Sequence, residues 1–200
     1  MRNTIARRVR TLAALLALAA AGAVQAQAPG IEAPVMLVAH PGLEPPYGQT
    51  VLIAVPAGNS EHVGFILNRP LPQTVSNMFP DDPAASKAVQ QVRLGGPVML
   101  NTMFAVVRQS RAAGATTIPL FEDVHLAVRA DAIARIVRDA PNEARYFVGF
   151  VSWAPGELEQ EIASGYWYVM RPQKDAVFRE DAGDLWTDLV RRLRTPVALQ

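Results

Sequence analysis

The sequence predicts a single α+β domain, and three observations carry that prediction. Apolar runs of strand length recur at residues 35–39, 50–55, 63–68, 101–107 and 124–128, separated by turn-forming residues. Residues 131–139 and 184–193 carry apolar side chains at helical spacing. Residues 147–169 read as strand, tight turn, short helix, tight turn and strand. With 200 residues, 50% of them hydrophobic and 18% charged, the chain can bury a substantial core. No repeat, low-complexity tract or linker divides residues 35–194, which form the expected domain, followed by a C-terminal tail at 195–200.

The N-terminus reads as a secretory signal peptide. Arg2, Arg7, Arg8 and Arg10 precede an uncharged, alanine- and leucine-rich run, and Val24 and Ala26 flank Gln25 as a cleavage site before Gln27. The apolar run is shorter than the ~20 residues of a membrane span, so no integral span is expected after cleavage at residue 26. Periplasmic or secreted localisation follows, with the cytoplasm as the alternative where residues 1–26 are not a working signal. Removing them leaves fifteen basic against eighteen acidic side chains, a formal charge of −3. The mature chain lacks the basic, aromatic-interleaved face of a nucleic-acid binder. With no cysteine, disulfides, thiolate metal sites and cysteine nucleophiles are excluded, and the core alone must hold the fold.

Residues 27–34 are expected to be a mobile lead-in. After the first strand, consecutive prolines at Pro45 and Pro46 enforce a loop that carries Glu44 and Tyr47 to one rim. The turn signal Pro56-Ala57-Gly58-Asn59-Ser60 makes the second and third strands a hairpin. Thr74 caps a short helix ending at Phe79, and residues 84–91 are weakly helical. Residues 111–117 form a loop between later strands. In the central unit, Pro155 suits the first helical position and Gly165 the left-handed stop. Val177-Phe178 is expected as a last edge strand. Arg191, Arg192 and Arg194 complement the dipole of the closing helix.

Few residues point to chemistry. Glu157 and Glu161 share a helical face while Glu159 points away, so two carboxylates can converge for acid–base work or a hard cation. Stabilising a helix start is the competing role. Arg69, at a strand exit, suits a bidentate pair with Glu157 or Glu161, or an anionic ligand. Gly95-Gly96 permits close backbone approach, and Trp153 and Trp167 flank the central helix as core-edge side chains or a stacking platform. His40, His62 and His125 show no metal-ligand spacing, and no serine sits in a nucleophile elbow. The candidate ligand-binding set is therefore Asn68, Arg69, Gly95, Gly96, Trp153, Glu157 and Glu161, with no catalytic residue, metal or cofactor assigned.

Four segments carry a resemblance to a known family. They are the proline-rich loop after the first strand, Gly64-Phe65-Ile66-Leu67-Asn68-Arg69-Pro70-Leu71, Leu94-Gly95-Gly96-Pro97-Val98, and the run from Gly149 to Ile162 with Trp167. In this order they resemble the YqgE/AlgH proteins across nearly the whole mature chain. The resemblance implies an α+β fold whose bifurcated, partly barrel-like sheet is surrounded by helices. It implies no reaction, and the AlgH name is associated with regulation of alginate synthesis. Two functions are expected: a non-enzymatic binding or regulatory domain with a small-molecule or protein partner, or a small-molecule hydrolase using Arg69 with Glu157 or Glu161.

Overall fold

In chain order the computed structural model comprises β1 (Val35–Ala39), β2 (Val51–Gly58), β3 (Glu61–Ile66), β4 (Pro70–Thr74), α1 (Val75–Met78), β5 (Gln91–Leu94), β6 (Val98–Arg108), β7 (Thr117–Phe121), β8 (Val124–Ala127), α2 (Ala130–Asp139), β9 (Ala144–Trp153), α3 (Glu157–Ala163), β10 (Trp167–Met170), α4 (Lys174–Val177) and α5 (Leu185–Arg194). It describes residues 30–81, 83, 85–108 and 117–195. The expected signal peptide, most of the 111–117 loop and all but Thr195 of the tail lie outside these residues. Among the described residues no helix is long and apolar enough to cross a membrane.

The strands form a curled, largely antiparallel half-barrel in the order β10-β1-β2-β3-β9-β6-β8-β7. Its fork lies on β9. The C-terminal half of β9 pairs with β3 from His62↔Trp153 to Gly64↔Val151, and its N-terminal half pairs in parallel with β5 at Arg93↔Phe147 and Leu94↔Val148. The other edge of β9 pairs with β6. Where β3 and β5 diverge, Ile66 N–H donates to the Gly95 carbonyl and Gly95 N–H donates to the Val148 carbonyl. The implied bifurcated, partly closed sheet is thus the observed fold.

Both faces of the sheet are covered, which explains why β1 and β2 read as unbroken apolar runs rather than alternating ones. Met36 and Val38 face one core with Ala176, Val177 and the apolar side of α5, whereas Leu37 and Ala39 face a second with Leu158, Trp153 and Trp167. A third core sets Ile133, Ile136 and Val137 of α2 against Ala105, Val107 and Tyr146. The expected Thr74 cap is present: its Oγ1 accepts from Asn77 N–H while Asn77 Oδ1 accepts from Thr74 N–H.

Several expectations change. Val177-Phe178 is no edge strand. Ala176 and Val177 N–H donate to the Gln173 carbonyl, Phe178 N–H donates to Lys174, and three consecutive buried side chains replace the alternation of a strand. Among the described residues of the weakly helical 84–91 segment, only Ala85–Lys87 wind, as one 3₁₀ turn, before β5. Pro155 precedes the helix in a turn, and Gly156 at φ +79° opens α3. In the lead-in, Ile31 is tied to the domain: its N–H donates to Glu159 Oε1 at 3.2 Å, and the His62 ring contacts its carbonyl at 2.8 Å. β4 and β7 were not expected. Both carry prolines, which suits a strand with a free edge.

One surface contact sets an acid-side prediction. Arg179 Nη1 donates to Asp188 Oδ2 at 2.7 Å, and this hydrogen bond first of all holds the Asp188 carboxyl below its ordinary value of 3.8. A carboxyl depressed in the folded state contributes stability above its unfolded value and loses it as pH falls through the folded one. Melting temperature is expected to fall as pH drops below the ordinary carboxyl value of 3.8 and on through the lowered folded one. Asp188→Asn should flatten part of that fall, and identical acid slopes in the two proteins would contradict it.

Candidate functional site

The motif residues of the central unit meet at the crossover from β9 to β10. These two strands are separated in the sheet by β3, β2 and β1, so α3 must bridge three strands. Leu158 is fully buried beneath it. Glu161, one turn on from Glu157, brings its carboxylate between the two strand ends. Its Oε2 accepts Trp153 Nε1–H from β9 at 2.9 Å and Trp167 Nε1–H from β10 at 2.7 Å. Both indoles are nearly buried, at 3% and 6% exposure, so the shared carboxylate satisfies two donors that water reaches poorly.

The other glutamates of α3 are also engaged within the domain. Glu157 Oε2 accepts Ala154 N–H at 2.8 Å, closing the turn before the helix, and Glu159 Oε1 holds Ile31 N–H. Glu157 and Glu161 thus share one side with Tyr47, Trp153 and Trp167, around a cleft of about 100 Å³. Tyr47 packs edge-on to Trp167 with ring centroids 6.4 Å apart. Burial first, and the Glu161 charge next, push the Tyr47 phenol above its usual range, with Arg69 opposing and Glu157 adding.

The remaining candidates sit outside this cleft. Arg69 donates to the Pro46 carbonyl, securing the proline loop with its cis Pro45–Pro46 bond. It makes no ion pair with Glu157 or Glu161 among the described residues. The Asn68 amide is occupied at both ends: Oδ1 accepts Val51 N–H and the side-chain N–H donates to Gln49, each at 2.9 Å. Gly95 and Gly96 face β9. A Cβ on Gly95 would overlap the Gly149 carbonyl, and one on Gly96 would overlap the Phe150–Val151 peptide. Gly149 itself holds φ +68°. These glycines let the backbones of the fork touch.

The three histidines are dispersed. His62 holds the lead-in, His40 lies against Tyr168, and His125 Nδ1 meets Thr117 Oγ1. No group of three or more His, Asp or Glu side chains that could hold a metal occurs among the described residues.

Sequence reasoning passed over two arginines that the structure makes prominent. Arg93 of β5 and Arg145 of β9 are 3% and 5% exposed. Arg93 Nη2 donates to the Arg179 carbonyl at 2.5 Å and Nη1 to that of Val177, while Arg145 Nη2 donates to that of Phe178. They fasten the end of α4 to the fork. The available signal is an arginine set among apolar neighbours, between Val92 and Leu94 in β5 and between Ala144 and Tyr146 in β9.

Similarity to known proteins agrees with this architecture. A UPF0301 protein of Streptomyces avermitilis is 32% identical over 171 residues, spanning 82% of this chain and 88% of that protein. One from Chlorobium limicola is 30% identical over 154 residues, spanning 74% and 79%. Among solved structures, a Corynebacterium diphtheriae protein superposes with a TM-score of 0.67 at 24% identity, covering 86% of this chain and 90% of that one. The AlgH protein of Pseudomonas aeruginosa gives 0.66 at 21%, covering 82% and 89%. These two likenesses establish the fold. A family model described as AlgH-like matches residues 36–198. The chain belongs to the AlgH-like family, in agreement with its YqgE/AlgH motifs.

Proposed function

We propose that this protein is an exported, non-enzymatic binding domain. The observation that supports this reading is the engagement of the motif residues with one another: Glu161 with two indoles, Glu157 with Ala154, Glu159 with Ile31 and Arg69 with Pro46. A general base must be free to take a proton from substrate. Carboxylates fixed on internal donors serve the scaffold instead. Export is supported by the three-part pattern of residues 1–26, which precede the AlgH-like match at residue 36. Pull-down from periplasmic extract is expected to return a partner or ligand, and N-terminal sequencing of the recovered protein should begin at Gln27. An extract that returns neither, or a precursor of full mass confined to the cytosol, would contradict the reading.

The hydrolase reading keeps one specific support, since Glu157 and Glu161 share the Tyr47 cleft and both they and Arg69 act electrostatically on that phenol. Equal turnover by wild type and Glu157→Ala/Glu161→Ala across a panel of ester, amide and phosphoester substrates would remove it. Turnover lost only in the variant would establish it.

A further inference from the structure

The fork of the sheet carries a second feature, whose lining shares no residue with the Tyr47 cleft. Arg93 and Arg145 project from neighbouring strands, since Arg93 pairs with Phe147, two residues beyond Arg145. Both guanidinium groups lie in the lining of a cavity of about 360 Å³. Neither makes an ion pair with a carboxylate within 4.0 Å among the described residues. Each guanidinium has five N–H donors, and the carbonyls at the end of α4 and of Ala144 occupy only some of them. Arg145 Nε is buried without any hydrogen-bond partner.

Two cations side by side in a buried place are unfavourable unless an anion joins them. Burial, and then the Arg145 charge, lower the Arg93 guanidinium to about 10. The cavity wall is apolar at Pro70 and Val89, the latter 68% exposed. Its outer rim is acidic. Glu180 and Asp181 are exposed and border the same cavity, and Glu180 is the strongest charge acting on Arg145. Asp181 also accepts Gly183 N–H, which fixes the rim loop, while Glu180 makes no ion pair among the described residues. A simple anion would meet attraction at the floor and repulsion at the rim. A ligand carrying both charges satisfies both ends.

The geometry points to a binding site for a small zwitterion of the amino-acid class, with its carboxylate on Arg93 and Arg145, its ammonium group toward Glu180 and Asp181, and an apolar side chain against Val89 and Pro70. Arginine forks match carboxylate oxygens in pairs, and the volume lies at the small end of ordinary ligand pockets. This inference rests on the reading of the chain as a binding domain and names its ligand class.

The test is a nuclear magnetic resonance titration of the full mature chain with three probes: L-leucine, leucinamide, which lacks the carboxylate, and inorganic phosphate, which lacks the ammonium group. Leucine is expected to shift the Glu180–Ala182 amide signals and to bind at least roughly tenfold more tightly than either other probe, the factor worth about 1.4 kcal/mol. Glu180→Gln, an exposed change that leaves the core untouched, should weaken leucine binding several-fold while leaving phosphate unchanged or tighter. Arg145→Gln should abolish leucine binding in protein that still melts cooperatively.

Absence of shifts with all three probes would overturn the site, and so would phosphate binding that equals leucine binding. Leucine binding unaffected by Glu180→Gln would overturn the placement of the ammonium group. The binding-domain reading fails separately: product signals growing in the leucine spectrum would remove it and leave the site standing, whereas a silent titration leaves it to the periplasmic pull-down.

Discussion

Gly96→Ala is expected to be among the most damaging single methyl additions at the described glycines, lowering stability by a large share while leaving a protein that still folds. The new Cβ would lie closer than 3.0 Å to the Phe150 carbonyl carbon and oxygen and to Val151 N. All three are backbone atoms of the central strand, so no side chain can swing aside. Either β9 moves away from the fork, breaking its pairing with β3 and β5, or the overlap persists. Losses of this kind reach roughly 3–5 kcal/mol, against a total stability of about 5–15 kcal/mol for an ordinary domain. Gly58→Ala is the control. Gly58 has φ +91° but nothing within 4 Å of the added atom, so only the backbone strain of about 1–2 kcal/mol applies. Urea midpoints should separate the two variants widely, and equal midpoints would contradict the packing role of the fork glycines.

The second large effect is expected from Glu161→Ala. Truncation leaves the indole N–H groups of Trp153 and Trp167 without their acceptor in a largely buried place. Each orphaned donor costs about 1–3 kcal/mol, which gives roughly 2–4 kcal/mol for the pair once partial hydration is allowed. For a domain of this size each kcal/mol moves the melting temperature by roughly 2–4 °C. Glu161→Gln keeps an acceptor oxygen and should recover about half of the loss, because what remains missing is the charge on the acceptor. Tryptophan fluorescence during thermal unfolding reads this directly. A Glu161→Ala protein that melts with the wild type would show that the clasp contributes nothing.

These two sites also show what was legible in the sequence. Strand–turn–helix–strand punctuation fixed the local elements around Glu161, and helical spacing placed Glu157 and Glu161 on one side with Glu159 turned away. The sequence could not show that β9 and β10 are separated by three strands, because strand order depends on contacts far apart in the chain. The sequence therefore marks both tryptophans but not their shared partner Glu161. The close approach that Gly95-Gly96 permits is to β9, at Gly149 for Gly95 and at the Phe150–Val151 peptide for Gly96.

Short polar or proline-bearing strands were the hardest elements. β4 (PLPQT) and β7 (TIPLF) lack the apolar alternation of a half-buried strand, and their pairing is supplied by β5 and β8. Val177-Phe178 departs from the expected edge strand for the opposite reason. Two adjacent apolar side chains resemble a strand, yet Arg93 and Arg145 hold the Val177 and Phe178 carbonyls at a helical end. Buried arginines that serve backbone carbonyls leave little trace in a sequence beyond a charge in an apolar run.

The acidic motif on α3 is part of the scaffold, held by two indoles from strands that lie apart in the sheet, and the wild-type protein itself reports on this. Hydrogen exchange at the Trp153 and Trp167 Nε1–H groups, followed by nuclear magnetic resonance, measures that clasp. Both indole protons are expected to exchange slowly and to be lost together on global unfolding, with both protections abolished in Glu161→Ala. Rapid exchange of either proton in the wild type, or protection that survives Glu161→Ala, would contradict this.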